Sequence, residues 1–112
     1  LVFRVNYKDG MKEGLEEGFC YSGLRKRSVN YVEDKKEGLL ESFHCKNGKL
    51  SERGFYVNNK FQGLYETFHF NGQLYLRRYH NKNGKLDGFY YLYETDGTLI
   101  KRTEYKDGEL IE

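Results

Sequence analysis

A short segment that begins with tyrosine and ends with glycine recurs along this chain about every 25 residues. The copies are YKDGMKEG at Tyr7–Gly14, YVEDKKEG at Tyr31–Gly38, YVNNKFQG at Tyr56–Gly63, YHNKNGKLDG at Tyr79–Gly88 and a final YKDGELIE. A tandem repeat of this period means that one small unit is stacked on itself. We therefore treat 1–112 as a single repeat domain, with a partial unit 1–13 and units 14–37, 38–62, 63–87 and 88–112.

A second turn signal lies midway between these copies. It occurs at Ser22-Gly23, Asn47-Gly48, Asn71-Gly72 and Asp96-Gly97. Asn-Gly and Asp-Gly between aromatic and leucine-rich runs indicate β-hairpins with two-residue type I′ turns. The runs between turns are about 7–9 residues long, which is typical of strands, and none has a helical period. The sequence thus predicts an all-β fold, an elongated single-layer antiparallel β-meander of about nine strands.

The hairpin around Asn71-Gly72 also yields a predicted register. A two-residue loop pairs Phe70 with Gln73, Phe68 with Tyr75, Glu66 with Arg77, and Leu64 with Tyr79. Both faces of this hairpin then mix apolar and polar side chains. Because only 38% of the residues are hydrophobic and 11 are tyrosine, we expect a single layer of sheet wetted on both faces.

The charges are nearly balanced, at a formal net charge of +2, so we expect no nucleic-acid partner. Basic residues do recur at Arg25–Arg27, Arg77-Arg78 and Lys101-Arg102. They either form a stripe that meets an acidic partner or are solubilising strand positions opposite Glu16, Glu17, Glu66 and Tyr91. The second interpretation is favoured, because most surface charges have this role.

Each unit opens with a glycine, at Gly14, Gly38, Gly63 and Gly88, and a column of metal-ligand residue types stands six residues after each of these opening glycines. Its members are Cys20, His44, His69 and Glu94. Equivalent positions in consecutive hairpins are two strands apart, roughly 9–10 Å, whereas the ligands of one zinc ion lie about 2.0–2.3 Å from it. The same spacing separates Cys20 from Cys45, beyond the Cα–Cα limit of about 7 Å for a disulfide. We therefore expect no metal site and two free thiols, which favours a reducing, cytoplasmic compartment.

The chain contains no GxSxG elbow, no glycine-rich phosphate loop and no HExxH motif. Its glycines belong to turns, and a single-layer sheet lacks a deep pocket. We expect no catalytic residues, no cofactor and no enzymatic activity.

The pattern Tyr-x-Asp/Asn-Gly-Lys-x-x-Gly, followed by an aromatic residue and Asn-Gly-x-Leu, resembles the bacterial variant of the MORN repeat. The match is clearest in NNKFQGLYETFHFNGQL and NKNGKLDGFYYLYETDGTL, between Tyr56 and Leu99. The resemblance implies a twisted β-meander. It also implies the function of a family of antitoxin or immunity proteins, which bind and block a toxin.

The leading functional hypothesis is therefore a protein-binding module that covers a toxin with an aromatic-rich sheet face. Tyrosine and arginine are enriched in interface hot spots, and the candidate contacts are Tyr65, Tyr75, Arg78, Tyr79, Tyr90 and Tyr91. For each of these side chains, packing within the sheet is the competing role.

The alternative hypothesis is a scaffolding segment of a larger, surface-exposed bacterial protein. Binding to a lipid surface is disfavoured, because the chain shows no signal peptide, no transmembrane run and little net charge. The terminal strands of an open sheet have unpaired backbone groups, so end-to-end self-association is a further expectation.

Overall fold

The computed structural model describes residues 2–111, and within this span it contains thirteen β-strands and no helix. The strands are β1 Val2–Arg4, β2 Tyr7–Lys8, β3 Met11–Lys12, β4 Gly14–Phe19, β5 Arg25–Val32, β6 Lys35–Phe43, β7 Leu50–Val57, β8 Lys60–Phe61, β9 Gly63–Phe68, β10 Leu74–His80, β11 Gly88–Tyr93, β12 Leu99–Lys106 and β13 Glu109–Ile111. Leu1 and Glu112, which end the predicted domain, lie outside the described residues. Accordingly, residues 2–111 offer no helix of the length and apolarity needed to cross a membrane.

One open antiparallel sheet contains most of these strands. Its order is β1-β4-β5-β6-β7-β9-β10-β11-β12-β13, with β8 paired to β7, while β2 and β3 form a separate hairpin. The dimensions are 48 × 33 × 14 Å, and the smallest is that of one sheet with side chains on both faces. The predicted all-β, single-layer antiparallel meander is confirmed.

The two edges of the sheet carry turns of different types, apart from the β10–β11 turn, in which Asn81 N donates to Lys85 O and Gly84 is left-handed. Along one edge, here called the disulfide edge, the loops have three residues, or four after β6, and end in a left-handed glycine, as at Gly72 with φ of 93°. There Gly72 N donates to His69 O at 2.9 Å and His69 N donates to Gln73 O at 2.8 Å. Along the other edge, here called the clasp edge, the two-residue turns Asp9-Gly10, Glu33-Asp34, Asn58-Asn59 and Asp107-Gly108 have positive φ at both residues. The type I′ geometry predicted for Asn71-Gly72 therefore belongs to the clasp edge.

This difference corrects part of the predicted register. Phe68 pairs with Leu74, and Tyr75 is the extra residue of a β-bulge, so the predicted Phe68–Tyr75 and Phe70–Gln73 pairs are wrong. The bulge cancels the one-residue offset of the three-residue loop. Beyond it, the predicted pairs Glu66–Arg77 and Leu64–Tyr79 are confirmed.

The prediction of two free thiols is wrong. Cys20 and Cys45 form a disulfide, with Cα atoms 5.8 Å apart. Both cysteines lie just beyond strand ends, where the chain leaves the sheet and the spacing of two strands no longer applies. The turn after β6 is also one residue longer, because His44 N donates to Lys49 O whereas Cys20 N donates to Leu24 O. Because the two cysteines are bridged, the argument from free thiols for a reducing compartment no longer holds.

Consecutive units are joined at the clasp edge by paired hydrogen bonds between turns. Asn59 N donates to Lys36 O at 3.0 Å, and Lys36 N donates back to Asn59 Oδ1 at 2.9 Å. The unit before repeats this exchange, since Asp34 N donates to Lys12 O and Lys12 N donates to Asp34 Oδ1. The recurring Tyr-to-Gly segment is thus the piece of chain that joins one unit to the next.

The disulfide edge has its own links from each unit to the next. Asn47 Nδ2 donates to Phe70 O at 2.8 Å, and Asn71 Nδ2 donates to Thr95 O at 2.7 Å. These asparagines therefore have a second role besides turning the chain.

The hydrophobic core lies on one face of the sheet, here called the core face. Val29, Leu40, Tyr31 and Tyr56 are its buried centre, and Phe61 packs against them. The ring of Phe61 lies so close to Gly54 that a Cβ atom there would be 2.9 Å from it, which only glycine allows. The opposite face carries no such buried cluster among residues 2–111, so the two faces are less alike than the sequence predicted.

Reduction of the Cys20–Cys45 disulfide should lower the free energy of unfolding by about 3 kcal/mol, the usual effect of opening a loop of this size. Denaturant unfolding with and without reductant measures the change. A Cys20→Ser/Cys45→Ser variant should match the reduced protein and be insensitive to reductant. Equal stability of the oxidised and reduced wild type would contradict the expectation.

Candidate functional site

Three of the four members of the column of possible metal ligands have structural contacts. Cys20 is in the disulfide, and His69 Nε2 is 2.8 Å from Tyr93 O of the next unit. His44 Nε2 makes the corresponding, longer approach to Phe68 O. Within residues 2–111 no group of three or more His, Cys, Asp or Glu residues converges to hold a metal ion.

His80, the remaining histidine, also has both ring nitrogens engaged. Arg78 Nε donates to His80 Nε2 at 3.1 Å, and His80 Nδ1 lies 3.0 Å from Gly84 O. Burial lowers the pKa of His80, as does the charge of Arg78, although the hydrogen bond to Gly84 opposes them. The neutral ring, with its proton on Nδ1, therefore holds the β10–β11 turn in place.

The face opposite the core carries a row of charged side chains that crosses the sheet at one register. We call this row the charge ladder and the face the ladder face. In strand order the row is Arg4, Glu17, Ser28, Glu41, Arg53, Glu66, Arg77, Tyr91 and Arg102. Directly paired residues of antiparallel strands point to the same side, so all nine side chains share the ladder face.

Glu66 lies at the centre of the charge ladder and is 2% exposed. Arg53 Nη2 donates to Glu66 Oε1 at 2.6 Å, while Arg77 donates to Oε2 from Nη2 at 2.8 Å and from Nε at 3.0 Å. Burial by itself raises the pKa of this carboxyl, but the hydrogen bonds and charges of Arg53 and Arg77 outweigh it and hold the pKa below the ordinary value. Glu66 is therefore a buried anion that two arginines cover.

The aromatic position five residues after each opening glycine lies on the same face. In three units an arginine from the preceding strand covers the ring: Arg4 on Phe19, Arg25 on Phe43 and Arg53 on Phe68, at 5.2–5.7 Å from the ring centroid. The recurring aromatic residue thus supports the arginine side chains of the ladder face by cation–π contact.

A second row lies on the same face, two residues along each strand from the charge ladder. Its side chains are apolar and exposed. We call it the apolar row, and it consists of Leu15, Leu39, Phe55, Leu64, Tyr79 and Phe89, each 37–47% exposed. From β6 to β11, five consecutive strands of the sheet each contribute one member. Contiguous large apolar side chains on a protein surface mark interaction sites.

The six contacts predicted from the sequence do not form one patch. Tyr79 and Tyr91 lie on the ladder face, whereas Tyr65, Arg78 and Tyr90 belong to rows of the core face. Tyr75 is the exposed bulge residue, with its ring 4.5 Å from that of His69.

Tyr65 and Arg78 have clear structural roles on the core face. The Tyr65 hydroxyl donates to Glu52, and the Arg78 guanidinium lies 4.4 Å from the centroid of the Tyr65 ring. Burial, together with the hydrogen bond to Glu52, raises the pKa of Tyr65. Because Tyr65 is only 7% exposed, it cannot contribute much area to an interface.

Comparison with known proteins bears on the fold alone. No family model matches the chain, and no curated protein matches its sequence significantly. A similar solved structure is that of a mutant of S. aureus TarM in complex with fondaparinux, alpha-GlcNAc-glycerol and UDP, with a TM-score of 0.50 and 15% sequence identity. The match covers 88% of this chain and 19% of that one.

The apolar row includes residues that the sequence analysis did not select. Leu15, Leu39, Leu64 and Phe89 each follow an opening glycine directly, and their exposure recurs from unit to unit. This periodic position was a usable signal. Hot-spot composition, which favours tyrosine and arginine, does not point to it.

We expect Glu66→Gln to lower the free energy of unfolding at pH 7 by about 2–3 kcal/mol, because it leaves two arginines without their shared anion. A carboxyl with a depressed folded pKa stabilises above its unfolded pKa, and this stabilisation is lost as the pH falls through the folded value. The difference from wild type should therefore shrink below about pH 4.

Denaturant unfolding of wild type and variant from pH 3 to pH 8 measures this. Glu104→Gln, on the same face but exposed and without a salt bridge among the described residues, is the control and should change stability by less than about 0.5 kcal/mol. A Glu66→Gln variant as stable as wild type at pH 7 would refute the stabilising role of Glu66 and its two arginines.

Proposed function

We propose that this chain is a non-enzymatic protein-binding module and that its protein partner docks on the ladder face. The observation that carries the proposal is the apolar row, which runs across five neighbouring strands, β6 to β11, without an intervening polar member. At a strand spacing of about 4.8 Å this stretch is roughly 20 Å long. Surfaces of this kind on monomers are commonly functional.

The neighbouring charge ladder supports the same assignment. Arg53 and Arg77 keep 46% and 38% of their side-chain surface exposed while they hold Glu66. An apolar centre beside oriented arginines is the composition found at the energetically important parts of protein interfaces.

Rigidity is the third support. Each strand of the row is hydrogen-bonded on both sides, and the turns at both edges are tied to their neighbours. A surface that is already ordered loses little conformational entropy when a partner binds. The toxin expected from the MORN-like pattern is one member of this partner class.

The test begins with capture from lysate of the source cell, followed by identification and purification of the retained protein. Calorimetric titration should then give a dissociation constant at least about tenfold weaker for Phe55→Ser and Leu39→Ser, the usual effect of truncating a central apolar contact. The same protein with Leu24→Ser is the matched control, because Leu24 is 46% and Leu39 47% exposed but Leu24 lies in a turn.

Circular dichroism and thermal unfolding establish that the variants are folded. Partner affinity that is the same in wild type, Phe55→Ser and Leu39→Ser would overturn docking on the ladder face. Turnover of a substrate by the purified chain would overturn its non-enzymatic assignment.

A further inference from the structure

We infer that a second copy of this chain covers the ladder face, related to the first by a two-fold axis that runs parallel to the strands between β7 and β9. This inference rests on the proposed function, because it names the partner of the same surface. The arrangement is a face-to-face pair of sheets, as in a β-sandwich.

The order of charges across the sheet selects this axis. Before the midpoint between β7 and β9 the charged members of the charge ladder are Arg4, Glu17, Glu41 and Arg53, and after it they are Glu66, Arg77 and Arg102. Arg4 lies opposite β13, whose described residues contribute no member to the ladder. A two-fold axis at the midpoint sets the first position on one side against the first on the other, and so on outwards. The Arg53 position then lies opposite Glu66 of the second copy, which its own Arg53 and Arg77 cover, while Glu41 faces Arg77 and Glu17 faces Arg102.

Two of these residues, Glu41 and Arg102, have no ionic partner among the residues that the structure describes. No salt bridge is formed by Glu41 or by Arg102 in the described span 2–111. In the pair of sheets each of them meets an opposite charge. Symmetric contacts of this kind occur twice in an isologous dimer.

Other positions of the axis fit less well. An axis through β7 sets Arg53 against itself and Glu41 against Glu66, and like charges brought together across an interface are strongly unfavourable. An axis between β6 and β7 also sets opposite charges of the two copies against each other. It leaves strands at one end of each sheet uncovered. The midpoint overlays all ten strands of the main sheet path.

The apolar row agrees with the same axis. Phe55 of one copy faces Leu64 of the other, and Leu39 faces Tyr79, so the four central members of the row form the middle of the interface. A sheet of 48 × 33 Å offers more than the roughly 800 Å² per partner of a standard interface. The area therefore suffices for a stable dimer.

Sedimentation equilibrium of the intact, disulfide-bonded chain should show a dimer that weakens as salt is raised, since the contacts between the two charge ladders are ionic. Leu39→Glu and Phe55→Glu should each weaken dimerisation at least about tenfold, whereas Leu24→Glu should not. A wild type that stays monomeric at millimolar concentration overturns the second copy as occupant but leaves the lysate-partner test standing. A dimer that persists in both glutamate variants overturns the ladder face as its interface.

A double variant, Leu39→Cys/Tyr79→Cys, tests the axis. The two positions face each other between copies but are three strands apart within one chain, about 14 Å. A short bismaleimide linker should therefore join the double variant into dimers, while each single variant stays largely unlinked, and the bridged Cys20 and Cys45 do not react. Efficient linking of either single variant, or none of the double variant, overturns this axis.

Discussion

The hydrogen bonds between turns of consecutive units are the constraint on which this sheet depends. A single layer has no second sheet to pack against, so neighbouring units must be fixed through their own edges. Lys36 and Asn59 exchange two hydrogen bonds across such a junction, and the same exchange joins Lys12 to Asp34. Each exchange fixes the register of one hairpin against the next before any side chain on the faces is considered. Strand pairing then continues the charge ladder and the apolar row across the rest of the sheet.

Each face of a single-layer sheet is open to water, and the two faces are shielded from it in different ways. On the core face, the short strand β8 at the edge of the sheet supplies a covering side chain. Phe61 of this strand covers Gly54 and stacks on Tyr56 at 4.3 Å between ring centroids. The ladder face has no such cover within the described residues. There the arginine side chains lie over the phenylalanine rings and over Glu66, so their aliphatic stems shield the sheet while the charged groups remain wet. A buried carboxylate is tolerable here because two guanidinium groups satisfy both of its oxygens.

Much of the fold followed from the sequence because the repeat itself carries the signal. The hairpin unit and the distant pairs Glu66–Arg77 and Leu64–Tyr79 needed only the spacing of turns. The details near the turns did not follow, because Asn-Gly is compatible with a two-residue loop or with a three-residue loop plus bulge. The Cys20–Cys45 disulfide was not predicted for a related reason. The spacing between strands does not give the distance between residues that lie beyond the ends of the strands. The extra residue between Gly38 and Gly48 was the only trace of it in the sequence.

The candidate surface depended on the assignment of side chains to faces, which residue types alone do not give. Tyr65 and Tyr79 are both tyrosines of the same hairpin, yet one is enclosed against Phe61 and the other stands in the exposed apolar row. Only the register separates them. It also shows that the charge ladder changes sign about the middle of the sheet, a property that no single unit possesses. Packing of one unit on the next requires only that neighbouring charges alternate in sign. Glu41 and Arg102 form no salt bridge among residues 2–111, so this requirement does not explain why they are charged. Their positions are accounted for when the face meets a second surface whose charges run in the opposite order.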